Sequence, residues 1–208
     1  MMNHSLCGSR GSASGRPIHA LCRAVALLCL WAVGVASGTS YFVNDASTNG
    51  DVYCTVAGSE AYSGLSESSP RLSITNLLAS YVVVPGDVVY VDAGTYTDYA
   101  VVFTNRGSTA GFIHFRGSTN TSGRTIIRAN SASVAAFTLA YTTNVVVSDF
   151  TVENSQRGIY IDYSLNTRIE NVLAKGMLAG FQCARSSTTR FFRCVAASNT
   201  YGVYALSS

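Results

Sequence analysis

The stretch that decides the fold of this 208-residue chain reads Asn144-Val-Val-Val-Ser-Asp-Phe-Thr-Val-Glu-Asn-Ser-Gln-Arg-Gly-Ile-Tyr-Ile-Asp162. When it is shifted along the sequence in 22-residue steps, Gly158 falls first on Gly180 and then on Gly202. An alternating tripeptide follows each glycine: Ile159-Tyr160-Ile161, Phe181-Gln182-Cys183 and Val203-Tyr204-Ala205. Alternation with a period of two is typical of a strand that buries every second side chain.

The same shift predicts which side chains face inward. Six positions in each of three successive units give eighteen inward side chains, and sixteen of them are apolar. A chain with 48% hydrophobic residues would give about nine by chance. The predicted inward residues are Val145, Val147, Phe150, Val152, Ile159 and Ile161, then Thr167, Ile169, Val172, Ala174, Phe181 and Cys183, then Thr189, Phe191, Cys194, Ala196, Val203 and Ala205.

Three short strands in each 22-residue unit, with no helical stretch between them, predict a coil of parallel strands. Each coil pairs with the next at about 4.8 Å and places like side chains above like. A leucine-rich repeat is the main competitor at this length, but its asparagine-anchored leucine pattern is absent. A β-sandwich would need hairpin turns and would not hold a constant period. The spacing is looser before Phe137, and counting from Asp87 gives about five coils.

The N-terminal residues have the features of a secretory signal. Residues 24–36 form an apolar stretch that follows several arginines and precedes small residues. A membrane-spanning helix needs roughly twenty apolar residues, so this stretch is too short to cross a bilayer. We therefore expect residues 1–37 to be a signal peptide and the rest to be secreted or held at the cell surface, with no membrane span. An uncleaved N-terminal anchor is the alternative.

Residues 38–86 are predicted to form an N-terminal cap with a short helix within residues 73–82. Ser69-Pro70 is a helix-start signal, and Pro85-Gly86 ends the segment. The apolar residues of the helix are Leu72, Leu77 and Leu78.

Residues 87–208 are the predicted coils. The last strand is still finishing when the sequence stops at Ser208. A coil array whose last turn is bare exposes strand edges and core, so we expect this chain to be truncated at its C-terminus, with later coils to follow.

The charge balance argues against a nucleic-acid partner. Charged residues make up 12% of the chain, and beyond residue 37 there are eleven basic and eleven acidic side chains. A neutral body lacks the excess of cations that phosphate neutralisation requires.

Three cysteines remain beyond residue 37, namely Cys54, Cys183 and Cys194. They contain no CxxC pair, so they predict neither a zinc site nor a disulfide framework. For Cys183 and Cys194, which fall on inward positions, buried free thiols are the favoured interpretation.

These repeats resemble the right-handed parallel β-helix family, the pectin-lyase-like superfamily. The unit from Asn144 to Asp162 is similar to the generic repeat of that family, and Pro85-Gly-Asp-Val-Val-Tyr-Val-Asp-Ala-Gly-Thr-Tyr96 is similar to its first coil. Tyr41-Phe-Val-Asn-Asp45 and Gly64-Leu-Ser-Glu-Ser-Ser-Pro70 resemble its N-terminal cap. The resemblance, over residues 40–208, implies an all-β solenoid with a polysaccharide partner. It leaves the activity open, because the family includes lyases, hydrolases, epimerases, adhesins and phage tailspikes.

No complete active site is predicted in this segment. The resemblance implies that pectate-lyase-like members need clustered aspartates for calcium, whereas the carboxylates of this chain are spread singly. Calcium binding stays open without that cluster, and no cofactor, metal ligand or catalytic residue is assigned. Lys175 lies one coil after Glu153, and we expect the two to form an exposed salt bridge. His114 has no glycine beside it and is expected to be an ordinary outward residue.

Two sets of outward residues are candidates for ligand binding. Arg168 and Arg190 are separated by one 22-residue step, and guanidinium groups suit carboxylated sugars. Tyr160, Gln182 and Tyr204 form a second outward column, in which the tyrosine rings are candidate sugar platforms. Outward tyrosines are also good strand formers, and exposed arginines are often only solvated, so structural roles stay open for both sets.

The sequence therefore predicts a secreted or cell-surface β-helix protein that binds a polysaccharide. One alternative is the N-terminal part of a polysaccharide lyase or glycoside hydrolase whose catalytic coils lie beyond Ser208. Another is a surface adhesin or stalk. Acidic clusters in later coils would favour the enzyme, and a sorting, autotransporter or membrane-anchor segment would favour the adhesin. The oligomeric state stays open.

Overall fold

The described residues of the computed structural model are 38–97, 100–120, 124–129, 131 and 134–206, and the predicted signal peptide lies outside them. Within these ranges there are sixteen strands and one helix, which is too short to span a lipid bilayer. In chain order they are β1 (Ser40–Val43), α1 (Ile74–Ser80), β2 (Val88–Val91), β3 (Gly94–Tyr96), β4 (Val101–Thr104), β5 (Ile113–Arg116), β6 (Thr125–Arg128), β7 (Ala135–Ala140), β8 (Val145–Ser148), β9 (Phe150–Glu153), β10 (Arg157–Asp162), β11 (Arg168–Glu170), β12 (Leu173–Lys175), β13 (Ala179–Ala184), β14 (Arg190–Phe192), β15 (Val195–Ala197) and β16 (Tyr201–Leu206).

The strands pair in parallel and form three sheets. The first sheet has the strand order β1-β2-β5-β8-β11-β14, the second β3-β6-β9-β12-β15, and the third β4-β7-β10-β13-β16. From β2 onward, each trio of successive strands gives one strand to every sheet, so the chain winds through five coils. The predicted parallel β-helix of about five coils is confirmed.

The 22-residue step holds in the last three coils. From β7, β8 and β9 onward, every paired residue is separated from its partner by one such step. The earlier coils are longer, because Val88 pairs with His114 and Val101 pairs with Phe137. The extra residues lie between strands, so the strands stack in register although the sequence repeat is irregular.

Inward side chains of successive coils pack into one apolar column. The rings of Phe115 and Phe137 are fully buried, and their centroids are 5.3 Å apart. Burial of such a side chain contributes roughly 1.5–3 kcal/mol. Every predicted inward residue from Val145 to Phe181 is buried, as expected. In the last coil the same positions are more exposed, Val203 to 59%, because β16 pairs with a strand on one side only.

The three glycines of the repeat stack above one another, as predicted. Their neighbours Arg157, Ala179 and Tyr201 pair in register on β10, β13 and β16. A Cβ atom on Gly158 would overlap the carbonyl oxygen of Gly180, and one on Gly180 would lie 2.9 Å from the carbonyl oxygen of Gly202. Glycine is therefore required here because the backbone of the next coil approaches too closely for a side chain.

Asparagines in the left-handed region turn several corners between strands. Asn144 and Asn166 have φ angles of 55° and 52°, which asparagine tolerates better than most residues. They are separated by one 22-residue step, and the Nδ2 of Asn166 donates to the Oδ1 of Asn144 at 2.6 Å. The sequence analysis did not single out this pair, although its spacing was the signal that could have found it.

The cap contains the predicted helix, but the prediction that Ser69-Pro70 marks its start was wrong. The N-cap is Ser73, whose Oγ accepts from the N–H of Asn76 at 3.0 Å. The N–H of Arg71 donates to the carbonyl of Phe42 at 2.9 Å, so the chain still runs extended beside β1 just after the proline. The buried helix residues are Ile74 and Leu77, whereas Leu72 and Leu78 are half-buried.

A buried carboxylate ties the cap to the first coil. Asp92 follows β2 and has no exposed surface. Its oxygens accept from the backbone N–H groups of Val52, Tyr53 and Cys54 at 2.6–2.7 Å and from that of Ala93 at 2.9 Å. Hydrogen bonds to an ionised acceptor are among the strongest in proteins, so this one side chain holds a loop that is about 40 residues distant in sequence.

We predict that Gly158→Ala lowers the free energy of unfolding by about 1–3 kcal/mol, because the new methyl group meets the backbone of the next coil. Chemical denaturation measures the change. Gly202→Ala is the matched control: its Cβ would lie 3.6 Å from the Cβ of Ala196, an ordinary contact, so stability should hold. Equal losses in the two variants would contradict the close approach of the coils.

We predict that Asp92→Ala lowers the free energy of unfolding by about 3 kcal/mol or more. The substitution leaves the cap N–H groups without their acceptor, and each buried orphan costs about 1–3 kcal/mol. Glu67→Ala removes an exposed carboxylate from the same cap and should cost less than about 0.5 kcal/mol. Similar denaturation midpoints for both variants would show that Asp92 does not hold the cap.

Candidate functional site

The five residues singled out from the sequence lie on two different faces of the solenoid. Arg168 and Arg190 pair in register on β11 and β14 and project from the first sheet. Tyr160, Gln182 and Tyr204 pair in register on β10, β13 and β16 of the third sheet. The two columns therefore form as stacks, but the fold does not bring them together into one site.

The third-sheet column offers little surface for a ligand. Gln182 shares the outward face with Tyr160 and Tyr204, as predicted, but it is only 7% exposed because the two tyrosines flank it in register on both sides. The hydroxyl of Tyr160 donates to the carboxylate of Asp162 at 3.0 Å, and the guanidinium of Arg157 lies 5.0 Å from the centre of its ring. Tyr204, at 40%, is the most exposed member of the column.

The first sheet carries an open groove of about 560 Å³ on its outer face. Alternate residues of β2, β5, β8 and β11 form its floor, since their neighbours point into the core. The lining residues are Val88, Tyr90, His114, Arg116, Thr119, Val146, Ser148, Asp149, Arg168, Glu170 and Asn171. Of the residues predicted from sequence, this groove contains Arg168 and continues toward Arg190 on the next strand.

Charged side chains of both signs lie on the floor of the groove, but they do not alternate along its rows. One in-register row runs through His114, Val146, Arg168 and Arg190. The neighbouring row includes Arg116 on β5 and Glu170 on β11. The groove is therefore lined by Arg116 and Arg168 and continues toward Arg190, whereas its carboxylates come from Glu170 and Asp149.

Arg168 is held in place while part of its guanidinium stays unused. The group lies 4.4 Å from the centre of the Phe112 ring, a cation–π contact. Its Nε atom is buried and has no hydrogen-bond partner among the residues that the structure describes. A buried donor without a partner costs about 1–3 kcal/mol, so this N–H is a position at which an acceptor would be favoured.

Aromatic rings lie at the N-terminal end of the first sheet, where Tyr90 lines the groove. Phe42 and Tyr90 stack on neighbouring strands with ring centroids 5.5 Å apart, and Tyr53 from the cap lies 4.8 Å from Tyr90. The hydroxyl of Tyr53 donates to the carbonyl of Gly117 at 2.9 Å, which fixes the ring. The groove thus has an aromatic end next to the cap and a cationic end toward the last coils.

A second stack lies at the corner between the third and first sheets, and the sequence analysis missed it. Tyr141 and Tyr163 stack with centroids 4.8 Å apart, and the guanidinium of Arg185 lies 4.2 Å from the centre of the Tyr163 ring. Arg185 also donates to both oxygens of Asp162, at 3.0 and 2.7 Å. The three stacked positions recur at the 22-residue step, which is the signal that could have found them. Because the ring faces and the cation bind each other, the stack is chiefly structural.

The predicted Glu153–Lys175 ion pair forms on the outer face of the second sheet, with Nζ and Oε2 3.0 Å apart. Arg128 from the previous coil binds the same carboxylate, so one anion lies between two cations. Burial opposes ionisation of Glu153, but hydrogen bonds from Arg128 and Lys175 outweigh it and lower the pKa of that carboxyl. Glu153 is less exposed than expected, at 13% of its side chain. All three side chains are thus occupied in the fold.

The described ranges contain no group of three or more histidine, cysteine or acidic side chains that could hold a metal ion. The carboxylates of Asp45 and Asp51 in the cap are hydrogen-bonded within the protein: Asp45 accepts from the N–H of Ser47 at 2.8 Å, and Asp51 accepts from Asn44 at 2.6 Å. These residues do not fit the acidic cluster that calcium would need.

The three cysteines beyond residue 37 are free. Cys54 is buried, and Cys183 and Cys194 are half-buried. Burial raises the pKa of each thiol, so all three stay protonated near neutral pH and behave as small apolar side chains.

Comparisons with known proteins agree with this geometry. A family model described as "Right handed beta helix region" matches residues 65–208. No curated protein matches the chain significantly. Among solved structures, the chain is similar to a rhamnogalacturonan lyase, with 16% identity and a TM-score of 0.54, over 81% of this chain and 56% of that chain. It is also similar to the pectate lyase Pel9A, with 17% identity and a TM-score of 0.45, over 77% of this chain and 48% of that chain.

At such identities the likeness to the first structure shows the fold alone. The chain spans about half the length of either structure.

Proposed function

Since the chain belongs to the right-handed β-helix family, we propose that it is a secreted or cell-surface protein that binds an anionic polysaccharide along the outer face of its first sheet. The proposed contact residues are Arg168 and Arg190, with Arg116 on the same groove. Tyr204 is retained as a peripheral candidate on the third sheet, while Tyr160 and Gln182 support the strand pairing there.

One observation carries the proposal: two like charges stand directly beside each other without a counter-ion. Arg168 and Arg190 occupy paired positions on neighbouring strands, and like charges so placed destabilise a sheet. Neither forms an ion pair with a carboxylate in the described part of the chain. In the Arg128–Glu153–Lys175 column this repulsion is avoided, because the charges alternate in sign from coil to coil. A carboxylated ligand between the two arginines would supply the missing anion.

The shape of the groove favours a polymer over a small molecule. It is an open trough on a flat sheet, and its floor is built from strands that are fixed by pairing on both sides. A rigid surface needs little ordering on binding, so the contacts that it makes with a long chain contribute fully to affinity. Guanidinium groups also match the planar geometry of carboxylates.

The proposed export rests on the N-terminal sequence. The apolar stretch at 24–36 has the length and flanks of a secretory signal. The similarity to a rhamnogalacturonan lyase adds that a chain of this fold acts on a polysaccharide, although the ligand class proposed here rests on the arginines.

We predict that Arg168→Ala weakens binding of an oligogalacturonate hexasaccharide by about tenfold or more, because a charge-assisted hydrogen bond is worth about 1.5–3 kcal/mol. Arg190→Ala should weaken it similarly, and both losses should shrink at high salt. Isothermal titration calorimetry measures the affinities. Lys175→Ala removes one positive charge from a different face and is the matched control, which should bind as the unchanged protein does.

Two results would overturn this proposal. One is the absence of oligogalacturonate binding to the unchanged protein, and the other is an equal loss of affinity in the Lys175→Ala control. Ultraviolet absorbance of the same mixtures, with calcium added, reports unsaturated sugar ends, and their appearance would replace a binding function with lyase activity.

A further inference from the structure

We propose that His114 is a ligand-contacting residue of the first-sheet groove and that it tightens binding of the anionic polysaccharide as the pH falls. This inference rests on the proposed function. His114 points outward, as the sequence predicts, and its place on the floor of the groove gives it this further role.

The position of His114 places its imidazole among the groups that would contact the ligand. The residue lies in the middle of the sheet, paired with Val88 on one side and Val146 on the other. Its ring centroid lies 6.2 Å from that of Phe112, and the guanidinium of Arg168 lies over the same phenylalanine. His114 and Arg168 thus both line the groove and lie against the same phenylalanine, so a ligand bound at Arg168 extends toward the imidazole.

The ring nitrogens of His114 are available. No hydrogen bond from either nitrogen to another described residue is found, although the side chain is half-buried. A structural histidine at such a site usually fixes its tautomer through a partner on one nitrogen. Both positions can therefore serve a ligand, one as donor in the neutral form and both as donors in the protonated form.

The charges around His114 decide what its protonation does. Arg116 lies two residues away on the same face of β5, and β11 contributes Arg168 and Glu170. Asp149 follows β8, and β2 contributes only the uncharged Val88 and Tyr90. With neutral His114 these two cations and two anions balance, so a proton on the imidazole turns this part of the groove positive.

The pH window follows from the same surroundings. Burial lowers the pKa of His114, the Arg116 and Arg168 guanidinium groups lower it further, and Glu170 opposes them. The free protein therefore holds a neutral imidazole at pH 7. A bound carboxylate favours the charged imidazole and raises its pKa in the complex. Affinity must then rise as the pH falls through the bound pKa, and it levels off below the free pKa.

His114 is the only histidine beyond residue 37. Imidazole is the side chain whose ordinary pKa lies between about 5 and 8, and the three cysteine thiols in the described ranges have raised pKa values. Among the residues beyond residue 37, a change of affinity in that window therefore points to His114, and the His114→Gln variant distinguishes it from His4 and His19.

The experiment measures the affinity of the full chain for the oligogalacturonate hexasaccharide between about pH 5 and pH 8, where the sugar carboxylates stay ionised. If the ligand raises the pKa of His114 by about one unit, affinity should be about tenfold higher at the acidic end. His114→Gln should bind weakly at every pH. His114→Lys keeps a positive charge throughout and should bind tightly at every pH. Arg116→Gln is the matched control, which should weaken binding but keep the pH dependence.

The outcomes separate this inference from the proposed function. Binding that depends on Arg168 but is equally tight across the pH range would overturn the role of His114 alone. The role of His114 is also overturned if His114→Gln keeps the pH dependence of the unchanged protein. Absence of oligogalacturonate binding at every pH would overturn both. An imidazole resonance whose apparent pKa rises when the hexasaccharide is added, and which is missing in His114→Gln, supports the assignment independently.

Discussion

The parallel, in-register stacking of coils is the constraint on which this structure depends. Each strand pairs only with strands of the coils above and below it. The side chain at one position therefore restricts which side chains fit at the paired positions of the neighbouring coils. Apolar rings lie above apolar rings in the interior, where Phe115 and Phe137 are 5.3 Å apart. Gly158 must be a glycine because Gly180 lies against it. Asn166 donates to Asn144 for the same reason. The 22-residue repeat in the sequence results from this constraint.

The features that follow directly from stacking could be predicted from the sequence, and those that depend on distant residues could not. Alternation identified the inward residues from Val145 to Phe181, since burial there needs only the strand period and the 22-residue step. Gln182 lies in the predicted outward column, but its low exposure could not be predicted, because the exposure of an outward side chain depends on the size of both in-register neighbours. The role of Asp92 could not be predicted, because its partners are backbone groups of the cap, about 40 residues earlier in the chain. No sequence periodicity relates the two segments.

The same distinction applies to the candidate site. Arg168 and Arg190 lie in the regular coils, so their pairing could be read from their spacing. Their relation to His114 could not, because the step from β5 to β8, from Ile113 to Val145, is longer than the repeat and breaks its register. Without coordinates, nothing indicates that residues of an irregular early coil face those of a regular later one. The part of the groove built from the regular coils could therefore be predicted from the sequence. The part built from the irregular early coil, which contains His114, could not.

Stacking also limits how a β-helix can place charge on its surface. When the same residue type recurs at one position of the repeat, it lies next to an identical residue in the next coil. Like charges paired in this way are unfavourable. On the second sheet the charges alternate in sign, because Glu153 lies between Arg128 and Lys175. On the first sheet they do not, because Arg168 and Arg190 adjoin without an anion. The row holds two adjacent arginines, because Val146 stands at its next position, so one carboxylate between them supplies the missing anion. The argument for a polymer comes from the open groove that continues from this pair along the first sheet, since further units of a polyuronate chain can follow its floor while one carboxylate meets the arginines.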